Sequence, residues 1–350
     1  MKITGFDIYG FSLPFSKTFS VKRNLISQRK GLIIRLTSEK DTVGFGEISP
    51  LPGFSSESLK KARQQVVILR SKVLNKNIIF RNIPQLFPSV RFGLESAVFN
   101  LLTKKESAFK KSIPLIGLLQ GSMKDVVCEA QKLLRQGFQN FKLKVGTENI
   151  LQDIEKVQRI QIILKNQATL RLDANQFWKF ADALRFAKAI EKNSIEYIEE
   201  PFKDISTQLQ RVTEFFKETG IPVALDESLG GMNPKNFQSL KGLKAFILKP
   251  TILGGIEKTL QWIQRAKALK VPAVISSAFE SGVGISMLAQ LARSFDCLPA
   301  GLDTYKYFSK DVLIDPLKME RGNFMISARP LKEKELNFSL LRRHSTLTSG

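Results

Sequence analysis

The chain has one histidine and two cysteines among its 350 residues, and no apolar run near the length that spans a bilayer. Each shortage closes off a class of mechanism. The histidine, His344, sits in the polar tail RRHSTLTSG, a segment expected to fray. Ser-His-Asp and Cys-His catalysis, His-based zinc sites and a histidine general base are therefore excluded from the folded body. Cys128 and Cys297 are too few for a disulfide framework and lack a zinc-like spacing, so both are expected as buried free thiols. The opening MKITGFDIYGF has no signal-peptide stretch, and no segment supplies the ~20 apolar residues of a membrane span. A cytoplasmic protein without membrane insertion is the expectation, and acid–base work must fall to Lys, Asp, Glu, Tyr or Cys.

Acidic residues are also scarce: 32 Asp and Glu stand against 54 Lys and Arg, a formal net charge of +22. Such an excess points to an anionic partner. The basic residues (Lys60, Lys61, Arg63, Lys104, Lys105, Lys110, Lys111, Lys188 and Lys192 among them) are scattered and not interleaved with aromatics. A nucleic-acid module is therefore not expected, and a surface that steers a small acidic metabolite is. With 43% apolar residues the chain can bury a sizeable core, in one large domain or two modest ones.

From about residue 112, short apolar runs alternate with amphipathic helical stretches, the pattern of βα units around a parallel sheet. The runs are IPLIGLL, FKLKV, TLRLD, IEYIE, PVALD, AFILK, PAVIS and LPAGLD. Six strand ends, Lys144, Asp173, Glu199, Asp226, Lys249 and Ser276, follow one another at intervals of 23 to 29 residues, each long enough for a strand, a helix and two loops. Eight such units predict an α/β fold of the (β/α)8-barrel type, in which functional residues gather at the C-terminal ends of the strands. No phosphate-binding glycine fingerprint supports an open doubly wound sheet. Residues 1–105 read instead as antiparallel strands and two helices (56–76 and 89–104), an N-terminal α+β capping domain. The barrel is expected over 106–310, a C-terminal segment returning to the cap over 311–340, with GNFMISA as its strand, and a tail over 341–350.

The hexapeptide FKLKVG places Lys142 and Lys144 on one side of a strand whose other face is apolar. On an exposed edge that is unremarkable, but in a closed barrel both lysines face the mouth, together with Asp173, Glu199, Asp226 and Lys249. Unpaired buried charges are too costly to be incidental. Three carboxylates on adjacent strands make an oxygen-only nest for a hard cation, with Mg2+ favoured and Mn2+ a substitute, because three protein ligands leave room for water and substrate. IEE offers Glu199 or Glu200, and ALDES offers Asp226 or Glu227; the spacing selects Glu199 and Asp226. Lys144 and Lys249 flank the carboxylates from opposite sides, and Lys142 is placed to supply a second charge beside Lys144. A cation that holds a substrate carboxylate while a lysine removes the neighbouring proton is a device for forming an enediolate.

These residues, as the KxK at Lys142 and Lys144, LDAN at Asp173, EEP at Glu199, DES at Asp226 and KPTILGG at Lys249, resemble the muconate-lactonizing subgroup of the enolase superfamily. The stretches GEISPLPGFSSESL, RLDANQFW, ISSAFESGVG and GLDT resemble its o-succinylbenzoate synthase family. That resemblance implies a syn dehydration of 2-succinyl-6-hydroxy-2,4-cyclohexadiene-1-carboxylate to 2-succinylbenzoate in menaquinone biosynthesis, with a small dicarboxylate as substrate. It implies Lys144 as the base, Lys249 as a permanent ammonium opposite it, and Asp173, Glu199 and Asp226 as metal ligands. N-acylamino acid racemisation or dipeptide epimerisation on the same scaffold is the alternative, because it uses the same opposed lysines. Arg171 shares the face of Asp173 and could meet a substrate carboxylate or pair with a metal ligand. Ser276 and Ser277 end the seventh strand, where hydroxyls can bind the succinyl carboxylate or cap a helix. FSVKRNLISQRKG and PGFSSES read as lid loops over the mouth or as ordinary surface loops.

Overall fold

The computed structural model describes residues 1–350 apart from 22–23, 78–82, 84, 104–109, 166, 298, 328 and 345–350. The first domain is an antiparallel sheet built on a long hairpin, β1 (Ile3–Val21) and β2 (Asn24–Ser38), joined by β3 (Val43–Ile48). Strand alternation gives the sheet two apolar faces. Phe6, Ile8, Leu32, Ile34 and Leu36 pack against α1 (Leu59–Val73) and α2 (Pro88–Leu102). Tyr9, Phe11, Leu13, Ile33 and Phe45 share a second core with Val283, Val312, Leu313 and Leu336 from the rest of the chain. Ser58 starts α1 by accepting the Lys61 amide. The glycines of VGFGEI let α2 lie directly on β3, since a side chain at Gly46 would collide with the Gly93 carbonyl. The boundary expected at 105–106 lies outside the described residues.

The strands of the second domain are parallel and follow one another around the sheet. After β4 (Lys110–Pro114) they run β5 (Ile116–Leu119), α3 (Met123–Arg135), β6 (Asn140–Lys144), α4 (Ile150–Leu164), β7 (Thr169–Asp173), α5 (Phe180–Lys188), β8 (Ile195–Glu199), α6 (Gln210–Thr219) and β9 (Val223–Leu225). Then come β10 (Leu243–Leu248), α7 (Pro250–Leu253), α8 (Gly255–Leu269), β11 (Ala273–Ile275) and α9 (Gly282–Ser294). Outward residues such as Phe141, Leu143, Leu172, Ile198, Leu225 and Leu248 join the large core under the helices. Inward residues Ile116, Tyr197, Ala224, Ala245, Ile247 and Val274 fill the lumen. The strands are thus apolar on both faces, as a covered parallel sheet requires.

Seven strands pair in the order β5 to β11, and the expected eighth, LPAGLD, contributes only two residues. Ala300 bridges Leu115 and Gly301 bridges Ser276, so the ring closes through a short seam. A 3-10 helix, Asp303–Tyr307, follows in place of an eighth crossover helix.

The C-terminal segment corrects two expectations. The strand in GNFMISA, β13 (Asn323–Ser327), does not join the first-domain sheet: it pairs with β4 and with β12 (Lys318–Glu320). Residues 311–340 meet that sheet through side chains such as Val312, Leu313 and Leu336, and the backbone pairing comes from β14 (Arg342–Arg343), joined to β1 and extended by the His344 amide donating to the Ile8 carbonyl at 2.9 Å. The start of the polar tail is thus an edge strand, because β1 offers it unpaired backbone groups that outweigh its lack of apolar side chains. Cys128 is exposed on the outward face of α3, while Cys297 is a buried free thiol. No helix among the described residues is long and apolar enough to cross a membrane.

Candidate active site

Strand register assembles the polar cluster. Lys144 pairs with Asp173 across β6 and β7, and Asp173 with Glu199 across β7 and β8, so the three stand in one row. Ala224 is opposite Glu199, which sets Asp226 one pleat further along, and Lys249 follows at the end of β10. One oxygen from each of Asp173, Glu199 and Asp226 lies within 4.8 Å of the others, and all three residues are buried. The donor set is carboxylate oxygen only, and it fits a hard divalent cation.

Three ammonium groups surround these carboxylates. Lys142 Nζ lies 3.1 Å from Glu199 Oε2 and 3.2 Å from Asp173 Oδ2. Lys144 Nζ lies 2.6 Å from Asp173 Oδ2 and donates to Asn175 Oδ1 at 2.7 Å. Lys249 Nζ pairs with Asp226 and sits 5.5 Å from the centre of the Phe54 ring. Burial works against the ammonium forms of Lys142 and Lys249, but the carboxylates outweigh it and hold both above the usual lysine range: Glu199 and Asp173 for the first, Asp226 and Glu227 for the second. Asp173 is buried too, yet Lys144 and Lys142 drive its carboxyl far below the usual range. For Glu199 burial dominates, opposed by Lys142 and reinforced by Asp173 and Asp226, and the carboxyl is pushed up to about 8.

Above the cluster opens a cavity of about 830 Å3, lined by Lys142, Lys144 and Lys249 below and by Lys17, Thr18, Leu51 and Phe54 of the first domain above. Of the two segments read as lid loops, PGFSSES therefore contributes Phe54 to the wall. The other forms the turn end of the β1–β2 hairpin, with residues 22–23 outside the described set. Ser276 and Ser277 line the cavity near the seam, where each hydroxyl reaches the Gly301 carbonyl (3.3 and 3.1 Å) and Ser277 Oγ lies 2.6 Å from Thr304 Oγ1. Neither caps α9, whose N-cap is Ser281.

Arg171 is a correction. It shares the inward face of Asp173 but is not among the residues lining the cavity. β8 carries one extra residue opposite β7, between the pairs Leu170–Ile195 and Arg171–Tyr197. That extra residue is Glu196, which accepts from Arg171 Nε at 2.7 Å while the guanidinium lies 5.1 Å from the centre of the Tyr197 ring. The arginine meets neither a metal-ligand candidate nor the cavity.

Sequence reasoning missed the groups that orient the cluster. Glu200 lies in the left-handed region, φ 44°, so consecutive glutamates diverge without the usual alternation. Its buried carboxylate accepts from the Asp226 amide (2.7 Å), the Ser228 amide (3.0 Å), Ser228 Oγ (2.6 Å) and Gln176 Nε2 (2.7 Å), tying together the loops after β7, β8 and β9. Burial and the charge of Glu227 push Glu200 up to about 7. Glu227 accepts from Asn175 Nδ2 at 2.7 Å and thereby turns Asn175 Oδ1 toward Lys144. The only signals were the doubled acids in EEP and DES and the asparagine in LDAN.

Residues 125–330 match the family described as enolase C-terminal domain-like, and residues 3–101 the family described as MenC, N-terminal domain. The o-succinylbenzoate synthase of Pasteurella multocida is 31% identical over 324 residues, covering 89% of this chain and 92% of its own, and that of Aliivibrio salmonicida is 32% identical over 314 residues, covering 86% and 90%. The chain belongs to the o-succinylbenzoate synthase family. It is an enzyme of that type, a lyase. Among solved structures, the N-succinyl Arg/Lys racemase of Bacillus cereus superposes with a TM-score of 0.84 at 21% identity, covering 99% of this chain and all of its own. The L-Ala-D/L-Glu epimerase of Bacillus subtilis gives 0.82 at 21%, covering 94% and 98%. At that identity the likeness is one of fold: a barrel with an N-terminal capping domain.

Proposed function

We propose that this family member catalyses the Mg2+-dependent syn dehydration of 2-succinyl-6-hydroxy-2,4-cyclohexadiene-1-carboxylate to 2-succinylbenzoate. The observation that carries the reading is the pair of lysines, Lys144 and Lys249, on opposite sides of a buried three-carboxylate nest that opens into one cavity. Asp173, Glu199 and Asp226 would hold the cation, whose charge draws in a substrate carboxylate and stabilises the negative charge that grows on it. Lys144 removes the proton from the neighbouring carbon, giving an enediolate, and the same ammonium then returns the proton to the departing hydroxyl as the ring becomes aromatic. One base on one face accounts for the syn course. Lys249, held as an ammonium by Asp226 and Glu227, stays charged on the other face and stabilises the developing charge. Lys142, between Asp173 and Glu199, fixes both carboxylates and adds positive charge behind Lys144. Ser276 and Ser277 present hydroxyls where the succinyl carboxylate can lie.

The test is turnover of the cyclohexadiene carboxylate by the purified protein, followed by ultraviolet absorbance with Mg2+ and then with chelator. Rapid, metal-dependent conversion is expected. Folded, metal-loaded protein that leaves the diene unchanged would refute the reading and move the search to N-acylamino acid and dipeptide substrates, which the same lysine pair can deprotonate from either face.

A further inference from the structure

Arg29, in the segment SQRKG of β2, is 2% exposed; among the described residues its guanidinium donates to backbone carbonyls, with the charges of Glu280 and Glu47 acting on it from nearby. Nη1 donates to Pro50 O at 2.7 Å and Nη2 to Ser49 O, both in the loop that leaves β3. Nε donates to Phe279 O at 2.9 Å and Nη2 also to Ala278 O at 3.2 Å, in the loop that leaves β11. The first loop carries Leu51 and Phe54, and the second carries Ala278 and Phe279, all in the cavity wall. One fixed fork of donors thus ties a capping-domain loop to a barrel loop at the place where both face the candidate site.

Two features show that the knot sets geometry as well as joining chain. Phe279 has φ 61°, a left-handed conformation that a bulky residue adopts only when its surroundings impose it. Its ring meets Phe15 at 5.7 Å and Tyr307 at 6.4 Å, centre to centre, and its carbonyl is the one held by Arg29 Nε. The two domains are also joined nearby without Arg29, where Glu47 accepts from the Ser281 amide and hydroxyl and from the Gly284 amide. The Arg29 bonds hold different residues of the same two connections, Ser49 and Pro50 after β3 and Ala278 and Phe279 after β11.

We infer that Arg29 is a positioning residue, acting through backbone carbonyls to fix the loops at 49–54 and 277–281 so that Phe54 lies beside Lys249 and Phe279 closes the cavity wall. The kinetic part of the test rests on the proposed dehydration, whereas the exchange part does not.

The experiment compares the full-length protein with Arg29→Ala by amide hydrogen exchange and by steady-state kinetics. Exchange about tenfold faster is expected in 49–55 and 277–281, with residues 31–38 of β2 unchanged. KM should rise about tenfold or more while kcat falls much less, since the loops enclose substrate and Lys144 is untouched. Guanidinium at about 20 mM, far below denaturing levels, should restore KM, and methylammonium should not. Unchanged exchange in both loops would overturn the inference, and so would equal loss of protection throughout the first-domain sheet. Should the alanine variant fail to fold, Arg29→Lys decides: it reaches fewer carbonyls, so partial loosening of the same two loops is expected and wild-type exchange refutes the role. Absence of diene turnover in the parent protein would strike the proposed reaction alone, leaving the exchange comparison to judge Arg29.

Discussion

Replacing Lys144 with alanine should separate chemistry from folding. Its side chain is 29% exposed, and Asp173, which it pairs with, keeps Lys142 at 3.2 Å after the change. Breaking a buried ion pair outright costs about 3–5 kcal/mol, but here the carboxylate retains one ammonium and the lost partner is part-hydrated, so about 1–2 kcal/mol is expected. In a chain of this size that lowers Tm by about 2–4 °C. A general base contributes about 10²–10⁴ in rate, and a lysine that both takes and returns the proton belongs at the upper end, about 4–5.5 kcal/mol on the barrier. Lys142→Ala should invert the pattern in stability: above about pH 8, where Glu199 is ionised, it leaves Glu199 and Asp173 short of a buried partner at once, a loss of about 3–5 kcal/mol. Ultraviolet turnover of the diene and thermal melts by circular dichroism of metal-free protein give both numbers. A Lys144→Ala enzyme within tenfold of the parent kcat, or one less stable than Lys142→Ala, would refute the reasoning.

Lys249→Ala should lower kcat by about 10²–10³, the usual loss when one preorganised electrostatic donor is removed, with diene turnover as the readout. Glu200→Gln leaves the size of the side chain intact but replaces an acceptor of the Asp226 and Ser228 amides; calorimetric titration should show Mg2+ binding about 10–100-fold weaker. The Glu199 carboxyl, pushed up to about 8, must lose its proton to bind a cation, so Mg2+ affinity should rise about tenfold per pH unit up to pH 8 with release of a proton, and level off above it. An acid whose folded pKa is raised also withdraws stability from the metal-free protein as pH climbs from about 4.5 to 8. The rise in Tm on adding Mg2+ should therefore widen over that interval, and a gap constant from pH 6 to 8 would count against it.

The strand ends were legible because a strand buried on both faces has nowhere else to carry charge. Lys142, Lys144, Asp173, Glu199, Asp226 and Lys249 all converge on one cluster, and their regular spacing revealed the barrel. Alternation placed Arg171 correctly on the inward face, yet it could not reveal the inserted Glu196 that engages it, since a bulge changes register without a fixed residue signature. Spacing selected Glu199 but gave no role to Glu200, whose left-handed backbone lies just past the end of β8, where strand alternation is no guide to a side chain's direction. The partners of Arg29 are main-chain carbonyls, which every residue possesses and no residue type announces. GNFMISA looked like any half-buried strand, and its pairing with β4 depends on contacts far apart in the chain.

The seam at Ala300 and Gly301 joins the ring by two backbone bonds on each side: Ile116 N to Ala300 O and Ala300 N to Pro114 O, then Ser277 N to Gly301 O and Gly301 N to Ile275 O. This clasp pairs a single residue on each side, against two to five along the ladders elsewhere in the ring, and it sits beneath the loops that carry Ser276, Phe279 and Asp303. Local opening begins where few hydrogen bonds must break together. Gentle heating or dilute denaturant should therefore part the barrel at its working end first, and the enzyme would fall silent while most of its helices were still intact.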